Sequence, residues 1–217
     1  MQKAGRPALN KVVLERLMHY YHFINSRGTQ RPDGIISSAE IANHLDLDDT
    51  LVRKDLAAVG VRGRPRVGFD TATVQRTIRE VLGFNESYSA IIVGAGRLGG
   101  ALAAYQGFAK YGMRLVGLFD ADESRVGSVQ SGHTVLSITD LERVSRENDV
   151  HLAILTVPAE AAQPLAERII AAGAKAIWNF APVNLVVPEN VTVRHEHISV
   201  GLAELAYHLK RRTDDRR

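Results

Sequence analysis

The segment Gly94-Ala95-Gly96-Arg97-Leu98-Gly99 constrains this chain more than any other. It follows directly on the apolar run Ala90-Ile91-Ile92-Val93 and opens into a helical pattern through Ala101, Leu102, Ala104 and Tyr105. G-x-G-x-x-G set between strand and helix is far more specific than the bare spacing, and it predicts a dinucleotide-binding α/β unit. Gly94 permits the tight turn, Gly96 lets a pyrophosphate approach the backbone, and Gly99 lets helix and strand pack closely. The helix N-terminus then offers free N–H groups and a positive dipole end to the phosphates. A second strand, Leu115 to Phe119, ends at Asp120, 21 residues after Gly99. A carboxylate there accepts hydrogen bonds from the adenosine ribose and repels a 2′-phosphate, which favours NAD over NADP. Arg125 either complicates that preference or is a surface charge.

More α/β units follow: a helix from Thr139 to Arg146, a strand from Leu152 to Val157, a helix from Ala159 to Ala172 and a strand from Ala176 to Phe180. Thr156-Val157-Pro158 and Asn179-Phe180-Ala181-Pro182 therefore fall at carboxyl ends of parallel strands, where doubly wound folds bind ligands. Each could be a plain turn, but three aligned strand ends favour a shared cleft. A nicotinamide-dependent enzyme also needs a proton donor or acceptor beside the hydride site. His133 sits in a Ser-Gly-His loop and His151 begins a strand; His195 and His197 alternate along an extended run, so only one faces the cleft. No residue set asks for catalysis.

Upstream, Leu9, Val12, Val13, Leu17, Tyr20, Tyr21 and Ile24 predict a helix over Leu9–Asn25, followed by a polar loop with Pro32 and Gly34. Ser37 with Glu40 forms a capping box for a short second helix. Asp48 or Asp49 caps a third, from Thr50 to Ala58, carrying Arg53-Lys54. The pair matches a helix-turn-helix, and equally an ordinary helical hairpin. Gly60 to Phe69 is too rich in Gly and Pro for a helix and too basic for a buried strand. It reads as a β-hairpin, the wing of a winged helix, presenting Arg62, Arg64 and Arg66. Arg62-Gly63-Arg64-Pro65-Arg66 also resembles the core of an AT-hook, whose extended backbone lies in the narrow minor groove of A·T tracts. Gly-Arg-Pro recurs at Gly5-Arg6-Pro7. A solvated basic loop is the plainer alternative. Asp70 caps a fourth helix, and the polar stretch Asn85–Ser89 marks a domain boundary.

Charge follows that boundary. Residues 1–85 carry 13 basic and nine acidic side chains, and the remainder 14 and 15, so the whole positive excess lies in the first part. Such asymmetry suggests that one part faces a polyanion. With no cysteine, thiolate metal sites, iron–sulfur clusters and thiol redox switches are excluded. No apolar run reaches the ~18 residues a membrane span needs, and MQKAGRPALN lacks a signal peptide's apolar core. A soluble, cytoplasmic protein is expected.

The order of these elements becomes specific through Arg53-Lys-Asp-Leu56, Gly94-Ala-Gly-Arg-Leu-Gly99, Phe119-Asp-Ala-Asp122, Leu155-Thr-Val-Pro-Ala-Glu-Ala-Ala-Gln163 and Asn179-Phe-Ala-Pro182. Over about residues 9–210 the chain resembles the bacterial redox-sensing transcriptional repressors of the Rex family. The resemblance implies a winged-helix DNA-binding domain over 1–85, a doubly wound NAD(H)-binding Rossmann domain over 86–197, and a dimerisation helix with a charged tail over 198–217. It also implies a homodimer that binds a palindromic double-stranded operator when NADH is scarce and releases it on binding NADH. The C-terminal helix would be swapped between subunits, wedged between the partner's two domains. Tyr105 would lie near the nicotinamide, with Val157-Pro158 and Phe180-Ala181-Pro182 lining its pocket. Thr50, Arg53 and Lys54 would meet DNA together with the wing arginines.

The chain departs from the family pattern in places. His22 and His197 stand where the family usually has Arg and Asp, a pair that links head and nucleotide domain in one state of the switch. Two imidazoles cannot form that charge-assisted pair. They make the switch pH-sensitive, abolish the contact, or simply pack. Pro65-Arg66-Val67-Gly68-Phe69 replaces the usual Arg-Gly-Val-Gly-Tyr of the wing, and Leu51 stands where a polar residue is common. A small NAD-dependent oxidoreductase with an accessory helical domain is the alternative reading. A constitutive DNA-binding protein with a structural nucleotide is a third.

Overall fold

In the computed structural model, which describes residues 9–27 and 34–214, the chain divides into two units, Met1–Glu86 and Ser87–Arg217. Gly5-Arg6-Pro7 and Pro32 lie outside the described residues.

The first unit holds α1 (Lys11–Arg27), β1 (Ile35–Ile36), α2 (Ser38–Leu45), α3 (Asp49–Ala58), β2 (Phe69–Asp70) and α4 (Thr71–Val81). Its helix starts follow from short-range polar chemistry. Ser37 Oγ accepts from Glu40 N at 3.1 Å while the Glu40 carboxylate accepts from Ser37 N at 2.9 Å, so two orphan donors are satisfied reciprocally. Asp46, in the left-handed region at φ 54°, ends α2 and lets Asp48 cap α3 through Thr50 N at 2.8 Å. Asp70 caps α4 through Thr73 N at 2.7 Å. Leu17, Tyr20 and Ile24 of α1 pack with Ile41, Val52, Leu56, Val74 and Ile78 into one fully buried core.

The wing differs from the sequence expectation. Between Gly60 and Phe69 the only ladder contact is one antiparallel bridge, Arg64 to Gly68, and Ile36 pairs with Phe69 instead. Pro65 has no N–H to donate, and glycines favour no strand, so the hairpin cannot lengthen. The extended backbone of an AT-hook is likewise not formed, because the chain turns back at Pro65-Arg66.

The second unit is a seven-stranded sheet. Its strands are β3 (Tyr88–Val93), β4 (Met113–Asp120), β5 (Val129–Gln130), β6 (His133–Ser137), β7 (Val150–Leu155), β8 (Ala176–Asn179) and β9 (Thr192–His195), in the order β5-β6-β4-β3-β7-β8-β9. All pairs are parallel except β5 with β6. The order reverses at β3, the doubly wound arrangement with its crevice at the strands' carboxyl ends. Alternation along β3 serves two cores. Ile91 and Val93 join Leu141 of α6 (Leu141–Glu147) and Ala162, Ala166 and Ile169 of α7 (Ala159–Ala171). Ile92 joins Leu118, Ile154 and Ala103, the last residue of α5 (Arg97–Ala103).

Three expectations change here. His133 is not in a loop: it opens β6 and pairs with Gln130, across a turn in which Ser131 and Gly132 both take positive φ. Helix α5 stops at Ala103, short of Tyr105, because Gly107 and a 3-10 turn over Phe108–Tyr111 break the continuation. His195 ends β9, and the His197 ring lies nearly parallel to it, 5.8 Å between centroids, because residues two apart in an extended chain share a face.

The last element, α8 (Ile198–Asp214), belongs to the second unit, yet every side chain from 198 to 212 is exposed, Leu202, Leu205 and Leu209 by 62–65%. Among the described residues, no helix is long and apolar enough to cross a membrane.

Candidate functional site

The glycine segment is held at the sheet's crevice by close backbone packing. Gly94 sits at φ +105°, and a Cβ there would meet the Thr156 carbonyl at 2.6 Å. A Cβ on Gly99 would lie 1.8 Å from Gly94 O, so both positions demand glycine. Thr156 Oγ1 donates to Gly94 O at 2.8 Å, tying the end of β7 to the loop after β3. Gly96 is free of such crowding; the nearest group to a Cβ there is the Arg125 guanidinium at 3.6 Å. It opens, with Ala95, Arg97, Gly100, Arg125, Gln130 and Ser131, onto a cleft of about 500 Å³.

Asp120 organises this cleft. One carboxylate oxygen accepts from Ala95 N at 2.8 Å, the other from Asp122 N at 2.9 Å. Arg125 approaches Asp120 at 3.3 Å and Asp122 at 3.2 Å, a charge paired with two acids at the mouth of the cleft. A carboxylate offers about four lone-pair sites. With three donors placed, Asp120 keeps one acceptor site.

Asn179 explains the Asn179-Phe180-Ala181-Pro182 turn. Its fully buried amide donates to Val183 O at 2.8 Å and accepts from Ala181 N at 3.0 Å, with His195 Nδ1 at 3.1 Å. Phe180 is thereby set half-buried against Trp178, ring centroids 4.9 Å apart, and the Trp178 indole N–H donates to Glu196 at 3.2 Å. Val157 is half-buried and Pro158 exposed at the end of β7, where Pro158 opens α7. Tyr105 is half exposed, its ring against Phe108 at 5.4 Å. Leu98 and Arg97 are exposed on the first turn of α5.

In the first unit, α3 is two-faced. Val52, Asp55 and Leu56 are buried, whereas Thr50, Arg53 and Lys54 form an exposed stripe. Arg53 pairs with the Asp49 carboxylate and donates to Thr50 Oγ1 at 3.0 Å, which fixes its guanidinium along the helix. Arg62, Arg64 and Arg66 are exposed on the wing, across a groove of about 620 Å³ that Arg53 also lines. His22 is exposed on α1 with its ring edge toward Tyr21, and His197 is exposed at the start of the last helix.

Sequence reasoning missed Gly100, Gln130 and Ser131. The signal was present: Ser131-Gly132 between Val129-Gln130 and His133-Thr134 is a two-residue hairpin turn. Its tip is anchored where Ser131 Oγ donates to Gly100 O at 3.1 Å.

A family model described as "CoA binding domain" matches residues 85–183, and one described as "Putative DNA-binding protein N-terminus" matches residues 9–57. The redox-sensing transcriptional repressor Rex of Carboxydothermus hydrogenoformans is 42% identical over 81% of this chain and 85% of its own. Among solved structures, that of RSP in complex with β-NAD+ and operator DNA superposes with a TM-score of 0.89 at 30% identity, covering 96% of each chain. RSP, a Rex-family repressor, in complex with β-NADH superposes with a TM-score of 0.86 at 30% identity, over 96% of this chain and 97% of that one.

Proposed function

Because the chain belongs to the Rex family of redox-sensing transcriptional repressors, we propose that it holds a palindromic operator when NADH is scarce and releases it when NADH binds. The observation that carries this reading is the joint presence of an exposed Thr50-Arg53-Lys54 stripe, whose Arg53 shares a groove with the arginine wing, and a glycine loop that Asp120 organises. Arg53 and Lys54 would supply phosphate and base contacts in the major groove, and Arg62, Arg64 and Arg66 would reach the adjacent minor groove. Gly94 to Gly99 would receive the pyrophosphate and Asp120 the adenosine ribose. Tyr105, Val157-Pro158 and Phe180-Ala181-Pro182 would surround the nicotinamide.

Residues 1–85 serve as the DNA-binding domain, 86–197 as the NAD(H) domain and 198–217 as the dimerisation helix and tail. The apolar side chains that α8 leaves exposed support a homodimer, and a two-fold dimer matches a palindrome. NADH moves the DNA-binding equilibrium only by its differential affinity for the two dimer states. His22 and His197, one in each unit, are the positions assigned to the switch. Such a repressor works in the cytoplasm.

The test is to titrate operator binding by the purified protein with NADH and, separately, with NAD+. Release by NADH alone is expected. Indifference to both would leave a constitutive DNA-binding protein, and nicotinamide turnover without DNA affinity an oxidoreductase.

A further inference from the structure

Arg66 is held in a backbone conformation that an arginine does not choose. Its φ is +62°, in the left-handed region, and it follows Pro65 in a turn closed by Val67 N donating to Arg64 O at 3.1 Å. Proline at the second position and positive φ at the third are the marks of a type II turn, whose third position favours glycine or asparagine. A second pair of bonds, Gly68 N to Arg64 O at 3.0 Å and Arg64 N to Gly68 O at 2.8 Å, locks the turn from below. The base is equally fixed, since a Cβ on Gly68 would strike the Ile36 carbonyl at 2.6 Å. The wing is thus a rigid mount with a strained, exposed arginine at its apex. Strained residues persist where the surroundings over-determine them, and they cluster at functional sites. In contrast with Arg53, none of the three wing guanidiniums forms an ion pair among the described residues; Arg64 lies near enough to Asp70 to help depress its carboxyl, and Arg66 has no such partner among them.

We propose that Arg66 is a specificity residue which reads base composition in the minor groove, favouring A·T over G·C pairs beneath the wing. This rests on the DNA-binding reading above. The chemistry is that of groove shape and of one amino group. A·T tracts narrow the minor groove and deepen its negative potential, which attracts an inserted guanidinium. A G·C pair instead projects the guanine 2-amino group into that space. Arg62 and Arg64 sit lower on the wing and supply charge without selectivity. Arg66 alone, presented at the apex, is placed to insert.

The experiment uses the full-length protein and labelled duplexes recovered by in vitro selection. Hydroxyl-radical footprinting locates the minor-groove positions protected by the wing. Those pairs are then rebuilt as A·T, G·C or inosine·C, the last lacking the 2-amino group while keeping a guanine-like major-groove edge. The wild type is expected to bind the A·T and inosine·C duplexes about tenfold more tightly than the G·C duplex. Arg66→Gly, which suits φ +62° and therefore folds, is expected to bind all three duplexes more weakly than the wild type binds the A·T duplex and to bring the three affinities together. Its urea midpoint should rise as the strain is relieved. An unchanged A·T to G·C ratio in Arg66→Gly, or inosine·C behaving as G·C in the wild type, would overturn the assignment. A selection that recovers no sequence would bring down the DNA-binding reading itself, a distinct result.

Discussion

The Asp55 carboxylate, on the buried face of α3, accepts two hydrogen bonds from the Arg16 guanidinium of α1, at 2.6 and 2.8 Å. Tyr20 donates a third at 2.8 Å, and the Asp55 side chain is only 5% exposed. The exposed Thr50-Arg53-Lys54 stripe and this ion pair occupy opposite faces of the same ten-residue helix. Removing one partner strands the other's charge, which in a buried pair costs about 3–5 kcal/mol. Asp55→Ala should therefore lower the stability of the first unit by that order in urea denaturation. The double variant Arg16→Met, Asp55→Leu should recover much of it. Burial, with the Asp55 hydrogen bond, pushes the Tyr20 hydroxyl above its usual range. Since the folded value is raised, Tyr20's contribution is full below about pH 10 and is lost only at still higher pH.

Acid should act through the helix caps. The amide and hydroxyl of Thr73 hold the Asp70 carboxyl below its ordinary range, and Thr50 does the same for Asp48. A depressed folded value means the stabilisation is complete above about pH 4 and is lost as pH falls further. Circular dichroism melts of the full chain between pH 6 and pH 2 should show this loss. Asp70→Ala should lower stability at neutral pH and make the acid limb shallower.

Gly99→Ala tests the glycine loop by geometry alone. Its Cβ would overlap the Gly94 carbonyl, so α5 must shift away from β3. The expected result is a destabilisation of about 1–3 kcal/mol. NADH binding, followed by calorimetry, should fall below detection.

Asp120→Ala removes the acceptor that holds Ala95 N and Asp122 N as well as the site left for ribose. Hydrogen bonds to a charged group are worth about 1.5–3 kcal/mol, so NADH affinity should drop at least tenfold. Loss of the negative charge should also raise the affinity for NADPH relative to NADH. Operator binding without nucleotide should be unaffected.

Arg53→Ala should weaken operator binding and reduce the slope of log affinity against log salt by about one for each phosphate left unneutralised. Because Arg53 is pre-positioned by Asp49 and Thr50, Asp49→Ala should weaken binding less, leaving the salt slope unchanged.

Much of this was written in short-range pattern. The capping box at Ser37 and Glu40, the Asp70 cap and the glycine loop depend on residues within three or five positions of each other, where spacing alone dictates geometry. Asp55 was invisible by the same logic. Its partner lies 39 positions away, and nothing local distinguishes an acid that is buried and paired from one in solvent. Strand β5 escaped because two residues carry no period, although the Ser131-Gly132 turn that joins it to β6 was legible. Asn179 read as one letter of a family motif; only the fold shows that its amide builds the Phe180-Ala181-Pro182 turn. The exposed leucines of α8 were legible as a stripe, but a stripe does not say what covers it.

Trp178 is the one tryptophan of the sequence, and its ring lies beside Phe180 at the carboxyl edge of the sheet. All indole fluorescence of the protein therefore originates from a single fixed point. Reduced nicotinamide absorbs where indole emits, and oxidised nicotinamide does not. If the dinucleotide binds as proposed, quenching of Trp178 by energy transfer should distinguish its two oxidation states without any label. The chain carries its own optical readout of the ratio to which it responds.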